Sequence, residues 1–400
     1  MAFMENLGRV EVQKWYWKVC IFCLGIILTL SGCARIETSS SPGSDLRTCK
    51  QGKGLTSHVR LDTGRVPYSV TAADFDCDGY TDLAVIGHGA GDLRIYRGRE
   101  DRVFEPGPMY PETEVGYHPG MARSVDWNCD GRPDLIVAGE GTKEVQYWEN
   151  KPGGLEKKAE FKVPFGPVSI AVSDLDNDGR LDVVLGPYSG DKVYVLWGLE
   201  EPFRFKIQQL QAAPTPMYVH MADWDGDGRQ DILWAEWDIG SICVAMNRGD
   251  RIFEKRYLRL KPKKRNDAPR TVVTADLDGD GNLDAIAPLE TGKAALLLYG
   301  DGKGGVAGTD MIPAPVWGYS GIAAVSAGEN HPAMVGLGEE GRNYVAALSG
   351  EGKWNLKQLT AGSLPRNLQF VDIDRDGYLD LLFVNSAGST MGIHYGPLYD

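Results

Sequence analysis

A nine-residue pattern, D-x-D-x-D-G-x-x-D, recurs at near-constant spacing and limits the possible folds more than any other feature of the chain. It begins at Asp74, Asp174, Asp223, Asp276 and Asp372, and at Asp126 with Asn128 in the third place. Successive starts lie 52, 48, 49, 53 and 96 residues apart, and the last step is twice 48. A degenerate copy fills that gap. Ile322 to Val325 and Pro332 to Val335 flank Ser326 to Asn330 as apolar runs flank the other loops, but the carboxylates are gone. The chain therefore carries seven repeats, six of them with an acidic loop.

Carboxylates at positions 1, 3, 5 and 9 of a tight loop can converge on one hard cation. The carbonyl of position 7 can join them, and the Gly at position 6 permits the sharp turn. Oxygen ligands without His or Cys favour calcium over zinc or copper. An EF-hand would need Glu at position 12 and a helix on each side. Position 12 is Val85, Val137, Leu185, Trp234, Ala287 and Phe383, and branched apolar runs that read as buried strands follow the loops. Acidic turns without metal are the other alternative, and four crowded like charges argue against it. The formal net charge is −13 from 42 basic and 55 acidic residues. Removing the residues before Cys33 leaves about −14, and six divalent ions would bring the particle to about −2. The acidity thus belongs mostly to the loops. No basic stripe with interleaved aromatics is present, Lys261 to Arg265 being a short cluster, so nucleic acid is not an expected partner.

Residues 1–32 read as an export signal, with Lys14 and Lys18 before an apolar run from Val19 to Leu30 that is short for a spanning helix. Leu30-Ser31-Gly32-Cys33-Ala34 resembles the lipobox of bacterial lipoproteins, which implies cleavage before Cys33 and its lipidation. The expected location is the bacterial envelope, lipid-anchored and facing periplasm or exterior; an uncleaved signal anchor is the alternative. Residues 33–54 are polar and read as a tether. Cys49, Cys77, Cys129 and Cys243 would meet an oxidising compartment, and the sequence leaves their pairing open.

From residue 55 to 400 each repeat reads as four short strands. Such a sheet cannot bury both faces alone, and radial stacking at this period gives a β-propeller. The last repeat stops after its third strand, Met391 to Tyr395. His58 to Leu61 matches the missing fourth, so the N-terminal strand should complete the last blade and close the ring. The expected fold class is all-β, a seven-bladed propeller of four-stranded blades.

The run Ala73 to Val85 resembles the FG-GAP repeats of integrin α-subunit propellers and the related bacterial VCBS repeats, and the similarity extends over residues 55–400. The resemblance implies structural calcium, about six ions, in the loop between the first two strands of a blade. The implied ligands are Asp74, Asp76, Asp78 and Asp82; Asp126, Asn128, Asp130 and Asp134; and Asp174, Asp176, Asp178 and Asp182. They continue with Asp223, Asp225, Asp227 and Asp231; Asp276, Asp278, Asp280 and Asp284; and Asp372, Asp374, Asp376 and Asp380. Asn128 departs from the pattern.

Function is expected on the face opposite these loops. A Pro stands seven residues before each motif, at Pro67, Pro119, Pro167, Pro216, Pro269 and Pro365, with Trp317 in the degenerate repeat. The residues just after it should ring the axial mouth: Tyr68, Met121, Val168, Tyr218, Arg270, Tyr319 and Arg366. The second set of loops on that face adds His88, Glu140, Tyr188, Glu236, Trp237 and Glu290. Aromatic rings and charges around a funnel suit a sugar or peptide. The expectation is a non-catalytic module binding a glycan or an envelope protein. The alternative is a lyase or hydrolase on acidic polysaccharide, with His220 or Tyr218 acting beside Arg270. His220 on an inner strand otherwise reads as a core histidine.

Overall fold

The computed structural model describes residues 57–259, 268–289, 294–314, 321–339, 341–348 and 353–399. The segments expected to be an export signal and a tether, with Cys33 and Cys49, and the Lys261 to Arg265 cluster, Glu290, Trp317 and Tyr319 lie outside the described residues. Twenty-eight strands form seven four-stranded antiparallel sheets. In blade 1 the strands run Pro67–Ala73, Asp82–Gly87, Asp92–Arg99 and Val103–Tyr110, from the axis outward. Blades 2 to 6 repeat this order, with innermost strands Pro119–Val125, Pro167–Ser173, Val219–Ala222, Val273–Ala275 and Ile322–Val325.

Blade 7 comprises Pro365–Val371, Asp380–Asn385 and Thr390–His394, and its outermost strand is His58–Asp62 from the other end of the chain. Val59 stands opposite Ile393 and Leu61 opposite Met391, as the sequence predicts. The borrowed strand covers the outer edge of Thr390–His394, which would otherwise lie unpaired.

The core is a set of seven layers, one between each pair of successive blades. Ala84 and Ile86 of blade 1 face Leu135 and Val137 of blade 2. The alternating residues Leu83 and Val85 point the other way, onto Leu382 and Val384 of blade 7. Both faces of the second strand are therefore buried, which is why Asp82–Gly87 and Asp134–Gly139 read as unbroken apolar runs rather than as alternation. The largest side chains sealed in these layers are Trp148, Trp197, Trp224 and Trp234. Cys243 lies in the layer between blades 3 and 4, fully buried, where a disulfide partner cannot reach it.

Candidate metal loops and ligand face

All six acidic loops share one hydrogen-bonding scheme. The position 1 carboxylate accepts amides from within the loop: Asp74 takes Asp78 N at 3.1 Å and Gly79 N at 2.9 Å. The position 5 carboxylate accepts the amide two residues on, as Asp178 does from Arg180. The position 9 carboxylate ties the loop to the end of the third strand. Asp182 Oδ2 accepts Leu175 N at 2.9 Å and its Oδ1 accepts Gly198 N at 2.8 Å. Asp82, Asp134, Asp231, Asp284 and Asp380 repeat the second bond with the amides of Gly98, Asn150, Asn247, Gly300 and Gly396. Burial pushes these carboxyls up, to about 6 in Asp82 and Asp284, about 7 in Asp182 and Asp231, and about 8 in Asp380.

The position 3 carboxylates carry the test for a cation. Oδ1 of Asp76, Asp176 and Asp225 is buried and meets no hydrogen-bond donor. A sealed carboxylate oxygen without a partner is costly, and a hard cation beside it removes the cost. Five loops, these three among them, gather three carboxylates with ligand atoms within 4.8 Å of one another. They are Asp74, Asp76 and Asp78 in the first loop; Asp174, Asp176 and Asp182; Asp223, Asp225 and Asp231; Asp276, Asp278 and Asp284; and Asp372, Asp374 and Asp380. The donor set is oxygen throughout, which fits calcium. The loop at Asp126 differs. Asn128 puts an Nδ2 donor where the other loops have a second carboxylate oxygen, and that donor is taken by Asp130 Oδ2 at 3.1 Å and Glu149 Oε1 at 3.5 Å.

Arginines hold the outward oxygens, and the sequence reading missed them. Arg99 reaches Asp78 at 2.7 Å from its own blade, and Arg248 reaches Asp225 at 2.6 Å in the same way. Arg102 and Arg251 cross to the preceding blade. Arg102 lies over the Tyr395 ring and pairs with Asp374 at 2.6 Å; Arg251 lies over Trp197 and pairs with Asp176 at 2.6 Å. Their signal is a second internal repeat, Arg99-Glu-Asp-Arg-Val-Phe-Glu105 and Arg248-Gly-Asp-Arg-Ile-Phe-Glu254. In both copies the Asp-Arg pair takes positive φ, which turns the second arginine toward the neighbouring blade.

On the opposite face the innermost strands begin with a register shift, between Pro67 and Ser69, Pro119 and Ala122, Pro167 and Ser169, and Arg366 and Gln369. Bulges of this kind re-aim side chains. Tyr68 and Tyr218 meet across the mouth with hydroxyls 2.8 Å apart, and Arg366 lies over the Tyr68 ring at 5.5 Å. From Tyr68 a run of rings leads outward: His88 at 5.1 Å, then His118 at 4.4 Å from His88, then Tyr117 at 3.8 Å from His118. Tyr117 ends the run 58% exposed, and Tyr188 and Ile239 on the same face are 58% and 54% exposed. Glu140 approaches His88 at 3.9 Å; burial raises the Glu140 carboxyl and lowers the His88 imidazole.

Three expected mouth or rim residues are placed otherwise. Val168 is buried under Tyr68 against Met217, with Met121 packed on that cluster. Glu236 is fully buried, accepting Ala213 N at 3.0 Å and Ser241 Oγ at 3.0 Å, so it braces the blade instead of facing a ligand. Arg270 is turned onto the Trp237 ring at 4.1 Å and does not line the axial cavity, which separates it from Tyr218 and His220. His220 does line it, bonded to Thr274 Oγ1 at 2.9 Å, and burial followed by the Arg123 charge lowers its imidazole to about 4.

Fold and loops together define a seven-bladed propeller whose acidic hairpins suit divalent cations. The FG-GAP-like repeat pattern matches residues 74–137, 126–185, 174–234 and 223–287, and the chain belongs to that repeat family. It is similar to integrin alpha pat-2 of Caenorhabditis briggsae, 24% identical over 292 residues, which cover 61% of this chain and 22% of the relative. The Caenorhabditis elegans protein of the same name is 23% identical over the same length. The chain thus spans about a fifth of the length of these relatives. Among solved structures, BBS1N in its complex with ARL6DN superposes with a TM-score of 0.58 at 15% identity, over 85% of this chain and 98% of that one. An Agrocybe aegerita lectin that recognises non-reducing terminal N-acetylglucosamine superposes with 0.51 at 19% identity, over 76% and 80%. Both share the fold.

Proposed function

We propose that this protein is a non-catalytic, calcium-braced binding module, held at the bacterial envelope by a lipid on Cys33 and recognising a glycan through the face opposite its acidic loops. An envelope protein is the other partner class. The observation that carries the reading is the ring ladder Tyr117, His118, His88, Tyr68 and Tyr218, which runs from an exposed rim to the axis. Tyr117, exposed at the end of the run, can offer its ring to the C–H surface of a sugar, the inner rings hold it in place, and Glu140 and Arg366 farther in can fix hydroxyls. A neighbouring fold that recognises N-acetylglucosamine is consistent with this choice. Calcium in the loops braces the ring without touching the ligand.

Binding is favoured over turnover because His220, its imidazole lowered to about 4, is a weak base already hydrogen-bonded to Thr274, and Arg270 lies on Trp237 instead of beside it. A glycan array run beside a turnover assay on acidic polysaccharide tests the reading. Tyr117→Ala and His118→Ala should weaken the array signal while the melting temperature holds. Release of unsaturated or reducing ends, lost in His220→Ala, would replace the proposal with the enzyme alternative. Globomycin-sensitive processing, lost in Cys33→Ser, tests the anchor.

A further inference from the structure

The axial channel opens beneath the Tyr68–Tyr218 pair as a cavity of about 330 Å3. That volume is at the lower end of ligand pockets, roughly 300–1,000 Å3, and suits one sugar-sized molecule. Its wall is apolar at Met121, Val219 and Ile322, and polar at Arg123, His220 and Arg366. Among the described residues no carboxylate lines it. Arg123 stands on the innermost strand of blade 2, and its hydrogen bond goes to the adjacent carbonyl, Ala122 O, at 2.9 Å. Among the described residues no acidic side chain lies near enough to raise its pKa, and burial alone lowers it.

Arg123 is half-buried and lines the cavity, where no carboxylate among the described residues offers it a counter-charge. In a chain of formal net charge −13, placing cationic groups on the axis gives the channel the opposite sign to the rest of the molecule. We propose that this cavity binds a monocarboxylate of monosaccharide size, a uronic acid, with the Arg123 fork on the carboxylate and Arg366 guarding the mouth. A planar guanidinium matches a carboxylate in bidentate fashion, and the Tyr68 and Tyr218 rings cover the apolar side of the sugar. The inference deepens the proposed ligand face, but it rests on a residue outside the ring ladder.

Isothermal titration and thermal melts of the calcium-loaded protein with galacturonate, galactose and sodium sulfate test it. Galacturonate should bind and raise the melting point, galactose should not, and sulfate at equal ionic strength should shift it less. Arg123→Met should weaken galacturonate by about tenfold or more, and Arg123→Lys by less. If Arg123→Met fails to fold, Arg123→Lys and competition by acetate in the wild type still decide. Equal shifts from galacturonate and galactose, equal shifts from sulfate, or wild-type affinity in the Arg123 variants would each overturn the assignment. Array binding that depends on Tyr117 with no galacturonate effect sinks this inference alone. Galacturonate binding that depends on Arg123 with an indifferent Tyr117→Ala sinks the ladder alone.

Discussion

Replacing Asp182 with Asn separates what the loop carboxylate does for the backbone from what it does for a cation. The wild-type carboxylate is 1% exposed and accepts two buried amides, Leu175 N and Gly198 N. Asn keeps one acceptor and turns an NH2 group toward the other amide, leaving a buried donor unmet at about 1–3 kcal/mol. Without metal that loss is partly offset, because the Asp182 carboxyl is pushed up to about 7 and its charge costs stability above that pH. With calcium the offset disappears, and losing a site held at a hundredfold its Kd removes about 2.7 kcal/mol more. Unfolding entropy of about 2.1 cal/mol/K per residue over roughly 340 residues converts 1 kcal/mol into about 1.4 °C. Asp182→Asn should therefore lower the melting temperature by about 5–8 °C in millimolar calcium and by about 4 °C or less in EDTA. Calorimetric melts in both buffers check this. An equal drop in the two would refute the assignment of Asp182 to a cation site.

The same carboxyls set a pH signature. Their folded values of about 6 to 8 exceed an unfolded value near 3.9, so the folded state binds protons more tightly. That stabilisation is full at low pH and lost as pH rises through the folded values. Metal-free protein should thus melt higher near pH 5 than near pH 8, and the gain from calcium should be largest near pH 8; a metal-free protein that strengthens toward pH 8 would contradict it. Arg251→Met, at a partly exposed staple, should cost about 1 kcal/mol by chemical denaturation; no change would show that the Asp176 pairing adds nothing. Gly98→Ala brings a Cβ to 2.2 Å from Thr81 O and should cost at least about 2 kcal/mol in the same assay, whereas Gly153→Ala, with nothing within 4 Å, should be near neutral. The buried Cys243 thiol, raised by burial, should react with maleimide only on unfolding, read by mass mapping.

The ring was legible because its two determinants are local. The spacing of the Asp motifs counts blades, and the unbroken apolar runs mark strands buried on both faces. Even the closure by His58–Asp62 followed from a missing fourth strand. The clamp at the third strand was harder to see. Its signal is Gly98, Asn150, Gly198, Asn247, Gly300 and Gly396, each at offset 24 from a motif start, with two residue types sharing one place. Gly admits the position 8 carbonyl at 2.0 Å from a notional Cβ at Gly300; Asn150 and Asn247 instead send Nδ2 to Phe75 O and Leu175 O of the preceding blade. Which mouth residues face a ligand was not legible. The bulges after the Pro residues decide the direction of each side chain, and a register shift of one residue reverses a face. Tyr68 and Val168 occupy the same place in identical bulges and pack in one cluster, and the longer Tyr68 side chain reaches the Tyr218 hydroxyl, while His118, unremarkable in sequence, became a rung of the ladder.

The degenerate sixth blade shows what the carboxylates accomplish. Where other blades use a position 9 Asp to receive the third-strand amide, blade 6 bonds Leu348 N to the main-chain carbonyl of Ala333 at 3.2 Å. Its loop is pinned by a backbone bridge between Gly328 and His331, and Ser326 Oγ accepts the Asp276 amide of blade 5. These bonds are made by uncharged groups, so they bring no buried charge that a cation would have to balance. In the other blades a carboxylate does the same work but brings a charge into a buried place, and the charge then requires a counter-ion. Grafting Ser326 to Asn330 in place of a acidic loop should yield a blade whose stability is indifferent to EDTA, measured by hydrogen exchange at its third strand. Continued sensitivity of that strand to chelator would show that calcium acts through the whole ring and not through its own hairpin.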